Sequence, residues 1–503
     1  MVNNQQNNET PVKTSSESFK FTRDIIWLAA SQVFSSLLSI VIIPALTKSY
    51  TTTSYGIWVQ VNVTVGLVSP LLTLQLGAAV VRFLAGEEDK AKRRRYFSSM
   101  LGAIIIFSCL IFTVLMLLET QVSVFLFASP TYIIFVQLIF LWTFVDALFG
   151  FFLCYLRARD KIRILSIILA VFSAAKMVLI VALASAGFKL EWVISCMVAV
   201  EAIFVIAVFS MIIRDIGLPL PNLAGLKAFL AFSVPQIPSS ILMWLVGVSD
   251  RYFITHFLSL SQTSVYSTSD TLGGLIALFY SPINFVLLPI VSRLWENKRT
   301  ADVRIYLEYS TRLFLTLAIP AAFGLALLSQ PLLKILTTSQ YLAGSELVLL
   351  VAFGTIFLGI YEINMYIILL VQQTKWLPLM ILGATVISVG INTTLIPRIG
   401  IIGGAIATIA SYFVLAAIVT VWAKKAISYR FDYKFLSKVM AAALVMALCL
   451  YFLDANGILG IILAVIVGTV IYGGALLLMR AFSEQDKRLV RETLTEIIPW
   501  CNR

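Results

Sequence analysis

Fourteen long apolar runs govern what this chain can fold into. They fall at 24–47, 55–81, 97–118, 131–156, 163–186, 191–213, 226–250, 264–292, 305–333, 346–371, 376–396, 399–423, 435–453 and 457–479. In hydrocarbon every backbone N–H and C=O needs a partner within the structure, so only helices and closed barrels cross a bilayer. A barrel strand is about ten residues of alternating polarity. These runs are longer and apolar throughout, and a helix needs about 20 such residues to cross. The expectation is an all-α integral membrane protein with about fourteen transmembrane helices. Composition agrees, at 60% hydrophobic and 12% charged, against about 25% charged in an ordinary soluble domain. Little chain is left for a soluble domain, so any function is expected inside the membrane, in short loops or in the tails.

Several function classes are excluded. The net charge of +12 has no basic domain of its own to sit on, which argues against nucleic-acid binding. Cys109, Cys154, Cys196, Cys449 and Cys501 form no CxxC pair, so disulfide and zinc frameworks find no support. His256 is the single histidine, too few for an HExxH metal site, and no GxxxxGK[ST] loop is present. No cofactor is expected. Residues 1–22 are rich in Asn, Gln, Ser and Thr and read as a disordered tail; the first apolar run is too long for a cleavable signal.

The basic residues fix an orientation. With a cytoplasmic N-terminus, 31 of the 37 Lys and Arg fall at the inner face, five (Lys48, Lys189, Arg251, Lys334 and Arg398) at the outer, and Lys176 within a span. This positive-inside bias predicts both termini in the cytoplasm and a multi-pass protein of the cell (cytoplasmic) membrane. Outer loops are short, the longest near 119–130 and 330–345, leaving no room for the external domain of a membrane glycosyltransferase or polymerase.

The stretch 215–225 carries prolines and glycines and reads as a linker. It divides an N-lobe at 23–214 from a C-lobe at 226–425, followed by two further helices within 426–480 and a cytoplasmic tail at 481–503. Thr53-Ser54-Tyr55-Gly56, opening the second run, parallels Thr263-Ser264-Val265-Tyr266, opening the eighth. Six helices separate the copies, an even number, so they run parallel. Transporters built from parallel repeats place their site between the halves.

Ionisable residues inside a membrane are costly and mark function by default. Asp146, Lys176, Glu201 and Glu362 lie 11 to 13 residues from the next inner basic residue, about 17–20 Å at 1.5 Å per residue, and so share one layer near the midplane. Asp146, Lys176 and Glu201 fall on consecutive helices. They suit either a cationic centre with carboxylates that bind a coupling ion, or an ion pair that locks three helices together. Glu201 and Glu362 are candidates for cation or proton binding. Asp250 and Arg251, read as closing the seventh helix, and Asp270 in the eighth form a second cluster at the outer ends, either interfacial or polar-lining. Asp270, Gly273, Gly274, Ala277, Ser281 and Asn284 fall on one helix face. Arg23, Asp24 and Arg82 form a third cluster at the inner ends, suited to a phosphate or to orientation. Ser31, Gln32, Ser35, Ser36 and Ser39, with Gln60, Asn62, Thr64 and Gln75, make polar stripes that face a cavity or another helix. Pro44, Pro235, Pro238, Pro282, Pro289 and Pro320 predict kinks. Tyr55, Trp58, Trp244, Tyr252, Tyr266 and Tyr280 read as interface-belt residues, with stacking on sugars as the alternative.

Four motifs carry a resemblance: Ser54-Tyr55-Gly56-Ile57-Trp58; Leu76-Gly77-Ala78-Ala79-Val80-Val81-Arg82; Phe229 to Pro235 followed by Ser249-Asp250-Arg251-Tyr252-Phe253-Ile254; and Val265-Tyr266-Ser267 with Leu288-Pro289. The chain resembles the polysaccharide (oligosaccharide-lipid) flippases of the multidrug/oligosaccharidyl-lipid/polysaccharide exporter superfamily, over 20–480. The resemblance implies two pseudo-symmetric six-helix lobes around a cavity that opens alternately to each side, plus two C-terminal helices that form a lipid-tail groove in related lipid II flippases. It implies a polyprenyl-phosphate-linked oligosaccharide as cargo, with Arg82 and Arg251 on positions that receive the diphosphate. Val265 departs from the family's usual glycine.

The expected function is a non-enzymatic flippase working by alternating access, as a monomer. Arg82, Lys176 and Arg251 would attract the headgroup; Asp146, Glu201, Glu362, Asp250 and Asp270 would bind a coupling H+ or Na+ or balance charge. The rivals are a cation-coupled multidrug exporter of the same superfamily, a membrane glycosyltransferase or polymerase, and a non-transporting scaffold.

Overall fold

The structure is a computed structural model that describes residues 14–220, 222–223, 225–427, 432–453, 455 and 457–480, with side chains from 27 onward except 285 and 286. Among the described residues fourteen helices are long and apolar enough to cross a membrane, and there is no strand. They are α1 (Thr14–Ser49), α2 (Thr52–Leu72), α3 (Lys90–Leu117), α4 (Pro130–Ala158), α5 (Ile162–Ser185), α6 (Leu190–Ile216) and α7 (Leu226–Phe257). Then come α8 (Leu260–Glu296), α9 (Thr300–Leu327), α10 (Leu347–Leu370), α11 (Thr374–Ile399), α12 (Ile401–Ile427), α13 (Tyr433–Tyr451) and α14 (Gly457–Leu478). Each coincides with one of the fourteen runs.

Four local readings change. α1 begins at Thr14, inside the stretch expected to be a disordered tail. Once the apolar span has nucleated the helix, adding residues to its end is cheap. The second run is not one helix, because it breaks at Thr73–Gln75 and resumes as a short helix, Leu76–Leu84. Pro70 has no N–H to give the preceding turn, and Leu74 and Gln75 take left-handed φ of 51° and 55°, a region that costs a non-glycine residue energy. α7 does not end at 250 but continues to Phe257, after a 3-10 turn at Val234–Gln236 set by Pro235 and Pro238. The face expected on α8 is likewise interrupted by a 3-10 turn at Gly274–Ile276.

The buried apolar side chains fall into two large clusters. One draws on residues 46–229, with Leu260, Val265 and Tyr341 added; the other runs from Val246 to Leu476. The first turns of α7, with Phe229, pack into the first cluster. Within the first half α1 lies along α5, tied by Ser173 and Ser35 hydroxyls 2.8 Å apart, and α2 packs on α4. In the second half α10, α11 and α12 pack together, and α13 lies beside α9. Tyr472 of α14 donates to Thr316 O of α9 at 2.8 Å, while Leu459, Ile462, Ile466 and Val470 on α14 stay exposed, as a lipid-facing surface requires.

The halves meet where the repeat segments begin. The start of α2 packs on the start of α8 so closely that a Cβ on Gly56 would sit 2.1 Å from Leu260 O. Ser261 and Thr52 hydroxyls are 2.7 Å apart. Gln60 Nε2 donates to Thr255 Oγ1 at 2.7 Å and to Leu126 O at 3.1 Å, and Thr64 bonds Tyr252 OH at 2.8 Å.

Candidate functional site

Two adjoining cavities open among α1, α2, α4 and α5. One, of about 390 Å³, is lined by Tyr55, Trp58, Asn62, Lys176 and serines of α1, and reaches Thr271 of α8. The other, of about 630 Å³, adds Gln75, Ser69, Thr73 and Asp146. Gln32, Ser35, Phe172 and Ser173 line both, so the two adjoin as one tract in which polar side chains stand among apolar ones. The α1 stripe faces this tract with its serine hydroxyls bonded to carbonyls a turn earlier, Ser35 to Ser31 O at 2.8 Å and Ser39 to Ser35 O at 3.0 Å. The break after α2 brings Gln75 into the tract, where its Nε2 reaches Ser240 Oγ of α7 at 3.0 Å.

Asp146, Lys176 and Glu201 are brought together, each within electrostatic reach of the other two. Glu201 is 1% exposed and accepts from Trp142 Nε1 at 2.9 Å. Lys176 Nζ lies 5.3 Å from the Trp142 ring centroid. Trp142 stands one turn before Asp146 on α4, so both side chains leave the same helix face. Sequence reasoning missed Trp142 because an aromatic in an apolar run looks like core; the four-residue spacing to Asp146 was the available signal.

Glu362 does not join this group. It stands in α10 near Tyr280, Tyr361 and Tyr366, and no contact among the described residues links it to the other three. Equal depth along a helix does not place residues side by side.

Asp250, Arg251 and Asp270 do meet, but within the protein and not at its outer rim. Arg251 Nη1 is 3.0 Å from Asp250 Oδ1 and Nη2 is 2.5 Å from Asp270 Oδ2. Asp250 also accepts from Tyr266 OH and, at 3.2 Å, from Thr408 Oγ1 of α12. Asp250 and Arg251 are 3% and 6% exposed, which corrects their reading as interfacial residues. They lie well inside α7 because that helix runs on for about two turns. Gly273 serves packing, since a Cβ there would lie 2.7 Å from Val351 of α10.

Arg82, on the short helix Leu76–Leu84, is exposed, and its guanidinium carbon lies 4.3 Å from the Phe232 ring centroid of α7. Arg23 and Asp24, expected beside it, lie outside the described side chains. Tyr55, Trp58 and Tyr266 are buried and so are not belt residues; the first two line the cavity.

Residues 21–295 match the model of a family described as polysaccharide biosynthesis protein. The chain belongs to that family. Among curated relatives, the probable low-salt glycan biosynthesis flippase Agl15 of Haloferax volcanii is 24% identical over 280 residues, 54% of this chain and 58% of that protein. The uncharacterized membrane protein MJ1068 of Methanocaldococcus jannaschii is 26% identical over 176 residues, 34% of each chain. The match therefore spans less than two thirds of either relative. Among solved structures, a lipid II flippase MurJ in an inward closed conformation superposes with a TM-score of 0.77 at 14% identity, covering 90% of this chain and 99% of that one. An inward-facing multidrug resistance MATE family transporter of the MOP superfamily gives 0.64 at 12% identity, covering 79% and 94%. These likenesses establish the fold: an all-helical architecture shared with those structures.

Proposed function

We propose that the protein is a flippase, without catalytic activity of its own, that moves a polyprenyl-phosphate-linked oligosaccharide from the cytoplasmic to the outer leaflet by alternating access. The observation that carries this reading is the tract lined by Lys176 and walled by Tyr55, Trp58 and side chains bearing hydroxyls and amides. Aromatic faces with hydroxyl and amide neighbours suit sugars, and an ammonium out of water suits an anionic group. Family membership and the flippase named among the relatives support the same cargo class.

In this reading the polar tract belongs to the N-lobe at 23–214, the linker at 215–225 joins it to the C-lobe, and both tails face the cytoplasm of a cell-membrane protein. Arg82 meets the diphosphate at the inner rim and Lys176 meets an anionic group deeper in. Asp146 and Glu201 balance charge or take the coupling cation, H+ or Na+. Arg251 is held by two aspartates, so it serves cargo only in a state that releases Asp270. Glu362 is a separate candidate for the cation. The multidrug-exporter reading is supported by shared fold alone.

Deletion of the gene followed by analysis of lipid-linked sugars tests the proposal. Build-up of the lipid-linked oligosaccharide on the cytoplasmic leaflet supports flipping. Unchanged lipid-linked sugars with a new sensitivity to cationic drugs would favour export of drugs.

A further inference from the structure

Lys176 and Glu201 lie on neighbouring helices with their charges in mutual reach, yet among the described residues no carboxylate oxygen comes within 4.0 Å of the Lys176 ammonium. Opposite charges in a low-dielectric site close up unless each is otherwise occupied. Trp142 touches both, and Asp146 also lies against Glu201. The Trp142 indole N–H donates to Glu201 Oε2 at 2.9 Å, and its ring lies 5.3 Å from Lys176 Nζ. The indole is itself fixed, 3% exposed and packed against Trp58, with ring centroids 6.2 Å apart. Trp58 and Lys176 both line the cavity, so the buried indole sits behind the cavity wall, in contact with the ammonium and with the carboxylate.

We infer that Trp142 is a positioning residue for cargo binding. By holding Glu201 on its N–H and offering its face to the ammonium, it stops the two charges from collapsing into an ion pair. The Lys176 N–H donors remain aimed at the cavity. A cation over an aromatic face keeps these donors free for other acceptors, whereas a carboxylate would consume them. Asp146, the other carboxylate facing Lys176, lines the cavity and lies against Glu201. This role rests on the reading of Lys176 as a cargo-binding group.

The test is equilibrium binding of one probe, a fluorescent polyprenyl-diphosphate N-acetylglucosamine, to the full-length protein in lipid nanodiscs. W142F keeps the aromatic face and removes the N–H. Glu201 is then free to close on Lys176, and the Kd is expected to rise about tenfold. W142F/E201Q removes the competing charge and is expected to return the Kd to within about threefold of wild type. A side chain that only fills space predicts no rescue. Wild-type binding by W142F, or a double variant as weak as the single one, overturns the inference. Should W142F alone not accumulate as folded protein, the double variant decides the question: near wild-type binding supports the role and weakened binding overturns it. K176A distinguishes a role for Lys176 from a role for Trp142. Normal binding by K176A defeats the reading of Lys176 itself. Weak binding by K176A with unrescued W142F defeats only the role of Trp142.

Discussion

Arg251 donates from Nη2 to Asp270 Oδ2 at 2.5 Å, tying α7 to α8 with an arginine side chain only 8% exposed. Nη1 of the same guanidinium is taken by Asp250 at 3.0 Å. Removing one partner of a buried pair leaves a charge without compensation, at a cost of about 3–5 kcal/mol. Arg251→Ala is expected to lower the thermal unfolding midpoint of the purified protein sharply, and adding Asp250→Asn and Asp270→Asn to recover part of it. Equal stability of R251A and wild type would contradict the network.

Gly56 predicts a steric outcome. The atom that a Cβ would meet is a backbone oxygen, Leu260 O, which cannot rotate away. Gly56→Ala is therefore expected to part the starts of α2 and α8, with lower folded yield and slower transport. Gly102→Ala is the control, because a Cβ there meets nothing within 4 Å and alanine gains up to about 1 kcal/mol of helix propensity. Fluorescence-detected size-exclusion profiles of the two variants give the comparison.

The contact between the halves should open and close if the protein works by alternating access. Thr52 and Ser261 hydroxyls lie 2.7 Å apart across it. A T52C/S261C disulfide is expected to stop flipping, and reductant to restore it. Full transport by the cross-linked protein would show that this contact never separates in the cycle.

Much of this fold is legible in the sequence because lipid leaves a chain few choices. A run of twenty apolar residues becomes a helix whatever its neighbours do, and all fourteen were legible for that reason. Consecutive helices also made the meeting of Asp146, Lys176 and Glu201 readable. Three things were not. Charges usually mark the membrane interface, so Asp250 and Arg251 suggested a helix end, whereas pairing lets them lie two turns inside. Gln60 belongs to a polar stripe, but nothing in its sequence position says that it spans to α7 while Asn62 faces the cavity. Trp142 looks like any core aromatic until Glu201 and Lys176 arrive from two other helices.

The orientation proposed from the basic residues is tested by labelling. Single cysteines replacing Lys375 and Lys189 on a background without native cysteines should react with an impermeant maleimide from opposite sides. Lys375 is expected to be reached only in opened cells and Lys189 in intact ones. The reverse pattern would invert the proposed topology.

The central claim, that cargo crosses the membrane through the polar tract past Lys176, is tested most directly in proteoliposomes. Purified wild type and K176A are reconstituted with the lipid-linked oligosaccharide isolated from a deletion strain, and the fraction of sugar exposed to an added glycosidase is followed with time. Rapid equilibration of the sugar between leaflets is expected with wild type. With folded K176A the rate is expected to be at least about tenfold lower, the loss that follows when a buried charged contact to cargo is removed. Equal rates for the two proteins, or no flipping by wild type, would contradict the claim.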